Sequence, residues 1–322
     1  MLFPKSWQDL FKKESNDVPR LIPQARESGF IEGFDGCRIY WELHGPTPSE
    51  TKNSPQLFCY GLACSMNQWR AQLNHFKNTH PCILFDYRGH HKSDFPSDPR
   101  GMNLSALAKD AARVLKHLVP DQRRAHIWGH SMGANVAIEL AFADPGLCRS
   151  LVLCCGSADN PFKRMFHSNA FEKYVQPIFN FFPNNKEYFY AAWKALLSRP
   201  EIGRHIVMFA GFNRAAIKSE DVDTYVRAVA AVHPKTFFPL IIEMTKGNTQ
   251  NILSRILTPT LVVAGGADLV TPPDNQRNLA RDLPNAEYFE IPTGSHNVQL
   301  DFGDYVCLKA EEFWIKQELD NA

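Results

Sequence analysis

Hydrophobic and polar positions along this chain fall into two alternating kinds of run. Short stretches rich in β-branched and aromatic residues read as strands: GFIEGF (29–34), CRIYWELHG (37–45), PQLFCYG (55–61), PCILFDYRG (81–89), AHIWGHS (125–131), SLVLCCG (150–156), PTLVVAGGAD (259–268) and AEYFEIPTG (286–294). Longer stretches with helical spacing separate them: SMNQWRAQLNHFKN (65–78), NLSALAKDAARVLKHLV (103–119), SMGANVAIELAFAD (131–144), PPDNQRNLARDL (272–283) and DYVCLKAEEFWIKQEL (304–319). Ser65 and Asn103 are candidate N-caps, and Pro120 and Pro145 mark helix ends. Such alternation predicts an α/β fold, a mostly parallel sheet with helices on both faces. The tight Phe34-Asp35-Gly36 turn predicts an antiparallel hairpin at one edge.

Between SLVLCCG and PTLVVAGGAD the alternation stops. Residues 157–255 keep helical periods but offer no strand, so they are expected to form a helical insertion between two parts of one core, 26–156 and 256–322. Residues 1–25 stand apart as an N-terminal arm. Phe3, Trp7, Leu10 and Phe11 share one helical face there, a pattern that packs on the protein itself, on a twin subunit, or on a membrane surface.

Composition narrows the class. With 322 residues, 44% of them hydrophobic and a formal net charge of +1, the chain can bury a large core, and nothing global points to nucleic acid. No stretch reaches the length and apolarity of a membrane span, and the N-terminus lacks a signal-peptide core. Eight cysteines are scattered through a chain that needs no staples, which predicts buried free thiols and a cytoplasmic location.

The sharpest local feature is Gly129-His130-Ser131-Met132-Gly133, placed after the strand AHIW and before the helix ANVAIELAF. A serine hydroxyl needs a base and an exposed, fixed position to act as a nucleophile. A strand-to-helix turn supplies the exposure, and glycines two residues before and after the serine allow the backbone to pass closely. The base and its orienting acid are expected later in the chain, in the order serine, acid, histidine. Asp268, at the end of PTLVVAGGAD, and His296, in PTGSHNVQLD, occupy those places at the sheet's carboxyl edge; Asp159, after the preceding strand, is the alternative acid. An oxyanion would be held by the backbone N–H groups of Met132 and Leu62.

These residues, together with Y-G-L-A (60–63), D-Y-R-G-H-H-K-S (86–93), G-A-D-L-V-T-P (266–272) and G-S-H-N (294–297), resemble the α/β-hydrolase superfamily, in its serine-nucleophile branch of esterases, lipases and haloperoxidase-like enzymes. The resemblance implies an eight-stranded sheet, a triad of Ser131, Asp268 and His296, an oxyanion hole at Leu62 and Met132, and a helical cap after strand 6. Relatives with an aspartate nucleophile, the haloalkane dehalogenases and epoxide hydrolases, are set apart by Ser131. Two departures stand out: Tyr60 replaces the histidine that usually begins the oxyanion motif, and His91 replaces a glycine, so that turn is expected to be rebuilt.

No metal or cofactor motif is present, so none is expected. The expected activity is hydrolysis of a carboxylic ester of a small to medium, largely apolar substrate. A thioester, amide, lactone or carbon–carbon bond suits the same triad, and a small-molecule receptor with little turnover is the alternative from another class. Sixteen of the 99 residues in 157–255 are aromatic, among them Phe179, Phe181, Phe182, Tyr188, Phe189, Tyr190, Trp193, Phe237 and Phe238, which suits a greasy cap over an apolar pocket.

Overall fold

The computed structural model describes residues 18–180, 190, 211–213, 215 and 217–320. All eight predicted strands form, as β1 (Glu27–Glu32), β2 (Arg38–His44), β3 (Gln56–Cys59), β4 (Cys82–Phe85), β5 (Ala125–His130), β6 (Cys148–Cys154), β7 (Thr260–Gly265) and β8 (Ala286–Ile291). They make one sheet in the order β1-β2-β4-β3-β5-β6-β7-β8. β1 and β2 pair antiparallel, as do β2 and β4, and every later pairing is parallel. The expected hairpin closes where Gly36 takes φ +83° and the Gly33 N–H reaches the Cys37 carbonyl at 2.8 Å.

β3, β5 and β7 are buried at every position. That is why they read as continuous apolar runs rather than alternating ones: helices cover both faces. Helix α1 (Arg70–Phe76) is preceded by a 3₁₀ turn at Met66–Trp69, so the expected single helix over 65–78 is a tighter turn joined to a short helix. α2 (Leu104–Leu118) and α3 (Met132–Ala143) end just before Pro120 and Pro145. Asn103 caps α2 by accepting the Ala106 N–H at 2.9 Å, whereas Ser65 makes no side-chain cap bond.

Adjacent residues of a strand face opposite sides of the sheet. Trp128 of β5 packs against Phe76 of α1 and Trp314 of the last helix, while a Cβ on its neighbour Gly129 would meet the backbone at Gly133 and Ala134 of α3. Thus α1 and the last helix cover one face, and α3, packed on α2, covers the other. Between β6 and β7 every described element is helical, including α4 (Ser219–Ala231) and α5 (Pro234–Thr245). The core then closes with α6 (Pro273–Asp282), β8 and α7 (Gly303–Asp320). All eight cysteines are buried and free. Among the described residues no helix is long and apolar enough to cross a membrane.

A buried ion cluster ties the hairpin to the core. Arg88, 0% exposed, donates to both oxygens of Asp110 on α2 at 2.7 and 2.8 Å, and to both oxygens of Asp35 in the hairpin turn at 2.8 and 3.0 Å. A guanidinium withdrawn from water is tolerable only when its donors are met. Asp110→Ala removes half of this pairing. It should lower the free energy of unfolding by about 3 kcal/mol, read as a fall in the urea midpoint; an unchanged midpoint would show that Asp35 alone satisfies Arg88.

Candidate active site

The chain turns from β5 into α3 through a single residue. Ser131 takes φ +53° and ψ −119°, and its N–H is held by the Cys154 carbonyl at 3.0 Å. A side chain at Gly129 would lie 2.5 Å from the Gly133 carbonyl oxygen, and one at Gly133 would lie 2.0 Å from the Cys59 carbonyl oxygen. Both glycines are therefore demanded by contact, and the turn they permit holds Ser131 clear of the sheet's carboxyl edge.

His296 follows β8 and Asp268 follows β7, so parallel strands deliver both side chains to that same edge. His296 Nε2 lies 3.1 Å from Ser131 Oγ, and His296 Nδ1 lies 2.9 Å from Asp268 Oδ2. Asp268 is wholly buried and His296 nearly so. Asp268 Oδ1 accepts the backbone N–H groups of Val270 and Thr271 at 2.8 and 2.9 Å, while Oδ2 is also approached by Gln276 Nε2 at 3.2 Å. A carboxylate so surrounded by donors acts as an acceptor, which assigns the imidazole proton to Nδ1 and leaves the Nε2 lone pair facing Ser131. Thr271 Oγ1, 2.8 Å from both Asp268 Oδ2 and the Cys155 carbonyl, completes the shell.

Asp159 lies elsewhere. Its carboxylate is about half exposed and pairs with Lys163 at 3.0 Å. Met132 begins α3, so its N–H belongs to the first turn and has no intrahelical acceptor. Leu62 lies in the loop after β3, and among the described residues no acceptor meets its N–H. Of the aromatic residues expected to face a substrate, Phe181, Phe182, Tyr188, Phe189 and Trp193 and the side chain of Phe179 lie outside the described residues; Phe238 is buried against Phe237.

Several residues to which the sequence reading gives no role hold this geometry. Gln68, buried in the 3₁₀ turn before α1, accepts the Gly61 N–H at 3.1 Å and donates to Asn297 Oδ1 at 2.9 Å. Asn297 in turn donates to the Gly211 carbonyl at 2.6 Å, which Ser295 Oγ also reaches at 3.0 Å. His130 Nε2 donates to the His296 carbonyl at 2.7 Å, and its Nδ1 lies 3.1 Å from Gln68 Oε1. Burial, with the nearby His296, holds the His130 ring well below the usual imidazole range, so it stays neutral. One network thus spans the loop after β3, the turn at Ser131, the loop at His296 and residue 211 between β6 and β7. Position in the chain could have flagged His130 and Asn297, each beside a candidate residue; Gln68 has no such signal.

Cys155 Sγ, a carboxylate oxygen of Asp268 and a ring nitrogen of His296 lie within 4.8 Å of one another. That donor set suits a thiophilic cation, but the Asp268 and His296 atoms already pair with each other and Cys155 Sγ lies against the Ser295 carbonyl at 3.4 Å.

An eight-stranded, mostly parallel sheet with a serine turned out after its fifth strand defines an α/β-hydrolase architecture. Residues 57–302 match the alpha/beta hydrolase fold family, and the chain belongs to it. It is similar to the RutD protein of Azorhizobium caulinodans, named as a candidate carbamate hydrolase, with 26% identity covering 80% of this chain and 88% of that one. Among solved structures it is similar in fold to a thermophilic esterase from Thermogutta terrifontis, with a TM-score of 0.69 and 20% identity over 90% of this chain and 98% of that one. An enol-lactonase from Burkholderia xenovorans is comparable, with a TM-score of 0.68 and 19% identity over 89% of this chain and 100% of that one.

Gln68→Leu should leave the Gly61 N–H and the Asn297 amide oxygen unpaired in the interior. The expected loss is about 1–3 kcal/mol of stability, seen as a lower melting temperature; an unaltered melting temperature would mean that water replaces the amide at no cost.

Proposed function

We propose that this chain is a serine hydrolase that cleaves a carboxylic ester of a small to medium, largely apolar substrate through an acyl-enzyme on Ser131. The observation that carries the reading is the line of contacts from Ser131 Oγ to His296 Nε2 at 3.1 Å and from His296 Nδ1 to Asp268 at 2.9 Å.

The chemistry follows from the proton positions. Ser131 Oγ attacks the ester carbonyl as its proton passes to His296 Nε2, and Asp268 steadies the imidazolium so formed. The carbonyl oxygen becomes an oxyanion held by the N–H groups of Leu62 and Met132, the latter at a helix N-terminus where the backbone dipoles favour negative charge. As the tetrahedral adduct collapses, the Nε2 proton leaves with the alcohol. Water then attacks the acyl group, gives a proton to Nε2, and a second collapse frees the acid and restores Ser131.

We assign 157–255 as the cap over this site and its aromatic residues as the source of the apolar preference. The sequence likeness to a protein named for carbamate hydrolysis favours a second reading, in which the carbonyl attacked is that of a carbamate. The two share every step up to departure of the leaving group, so the same protein tests both.

Hydrolysis of p-nitrophenyl esters from acetyl to dodecanoyl should show a rate that peaks at one chain length. Ser131→Ala and His296→Ala should each lower turnover by about 10⁴–10⁶, and Asp268→Asn by about 10⁴, without unfolding the protein. Asp159→Asn should leave the rate unchanged; the reverse pattern in the two aspartates would overturn the assignment of the acid. Cleavage of a p-nitrophenyl carbamate but of no ester would favour the second reading. Failure of Ser131 to react with a fluorophosphonate would sink both and leave a binding protein.

A further inference from the structure

The two departures from the family pattern, Tyr60 and His91, meet on one loop. Residues Tyr60–Cys64 carry the N–H of Leu62. Its shape is unusual: Ala63 takes φ +57°, and the Cys64 N–H folds back to the Gly61 carbonyl at 3.1 Å. The carbonyl at each end of this loop is gripped by the segment after β4. Tyr87 Oη donates to the Tyr60 carbonyl at 3.0 Å, and His91 Nε2 donates to the Cys64 carbonyl at 2.6 Å.

Tyr60 adds a third tie. Its hydroxyl donates to Asp86 Oδ1 at 3.3 Å and accepts the Tyr87 N–H at 3.1 Å. Tyr60 and Tyr87 are wholly buried, and Asp86 nearly so. The turn at 91 is not rebuilt. His91 itself adopts φ +41°, a conformation that glycine would take without strain. A glycine would keep the turn and lose the bond to Cys64. Strain held in a non-glycine residue bonded to the loop that carries Leu62 motivates a functional account rather than a purely architectural one.

We propose that His91, with the Tyr60–Tyr87 pair, is a positioning residue that fixes the Leu62 N–H as an oxyanion donor. The proposal rests on the hydrolase reading given above. An oxyanion donor acts only within a few tenths of an ångström of its place. Gln68 holds the Gly61 N–H, and the segment 86–91 holds the carbonyls of Tyr60 and Cys64 on either side of it in the chain.

His91→Gly separates positioning from stability, because it relieves backbone strain while removing the brace. Its melting temperature should equal or exceed that of the wild type. Its kcat on the p-nitrophenyl ester that the wild type cleaves fastest should fall about tenfold, with KM changed less than twofold. The rate at which a fluorophosphonate labels Ser131 should fall by a similar factor, since that adduct also places an oxygen against Leu62. His91→Gln, whose amide can donate to Cys64, should recover most of the rate. Tyr87→Phe, which frees the other end of the loop, should mimic His91→Gly in kcat.

Wild-type rates of turnover and labelling in His91→Gly would overturn the proposal, as would a loss of activity that merely follows a loss of melting temperature. If the wild type itself is not labelled at Ser131, the hydrolase reading fails and this one with it. Labelling of the wild type with unchanged rates in the variants overturns the brace alone.

Discussion

The structure depends on how closely three strands and one helix approach at the turn between β5 and α3. Ser131 reverses the chain in one residue only because Gly129 and Gly133 let backbone meet backbone, with a Cβ at 133 leaving just 2.0 Å to the Cys59 carbonyl. That closeness draws the end of β3 against the start of α3, and with it the loop that carries Leu62. The carboxyl edge of the sheet is thereby a place where a helix N-terminus, a strained serine and a donor-bearing loop converge. Any residue larger than glycine at either position would part the elements that make the edge chemically useful.

Around this contact the protein buries polar groups that it then satisfies one by one. Arg88 meets two carboxylates, Gln68 meets two loops, and Asp268 is ringed by backbone donors. Each such group would weaken the fold if left unpaired. Paired, they fix loops that the sheet alone would leave free, because the strand ladders give out within a residue of 85, 130 and 265, at the Asp86, Ser131 and Gly266 N–H groups. Precision at the site is thus supplied by side chains outside the regular elements, at a cost in desolvation that the apolar core offsets.

Much of this was legible in the sequence for physical reasons. The central strands are short and buried on both faces, so their apolar and aromatic runs stand out, and all eight strands form close to where they are expected. Ser131, Asp268 and His296 could be named because each follows a strand that must end at one edge, and the structure brings their side chains together. Asp159 satisfied the same positional argument, yet its carboxylate is drawn to Lys163, a local pairing that chain order does not reveal. Gln68 and Thr271 were illegible, since a buried amide or hydroxyl is recognised by its partners across the fold and not by its neighbours in the chain. Tyr60 and His91 were noticed only as oddities; their meaning needed the contact between two loops. The segment before α1 tightens into a 3₁₀ turn that periodicity does not distinguish from a helix.

The distances along the chain have a consequence for how the site comes into being. Ser131 and His296 are 165 residues apart and separated by the whole insertion, yet their contact is a single hydrogen bond. Closing so long a loop is entropically expensive and is rewarded late, after β7 has docked on β6 and β8 on β7. During refolding, helical and sheet signals should therefore return before reactivity at Ser131 does. On the function proposed above, Ser131 is then a reporter of completed topology, unreactive until the last strand is in place.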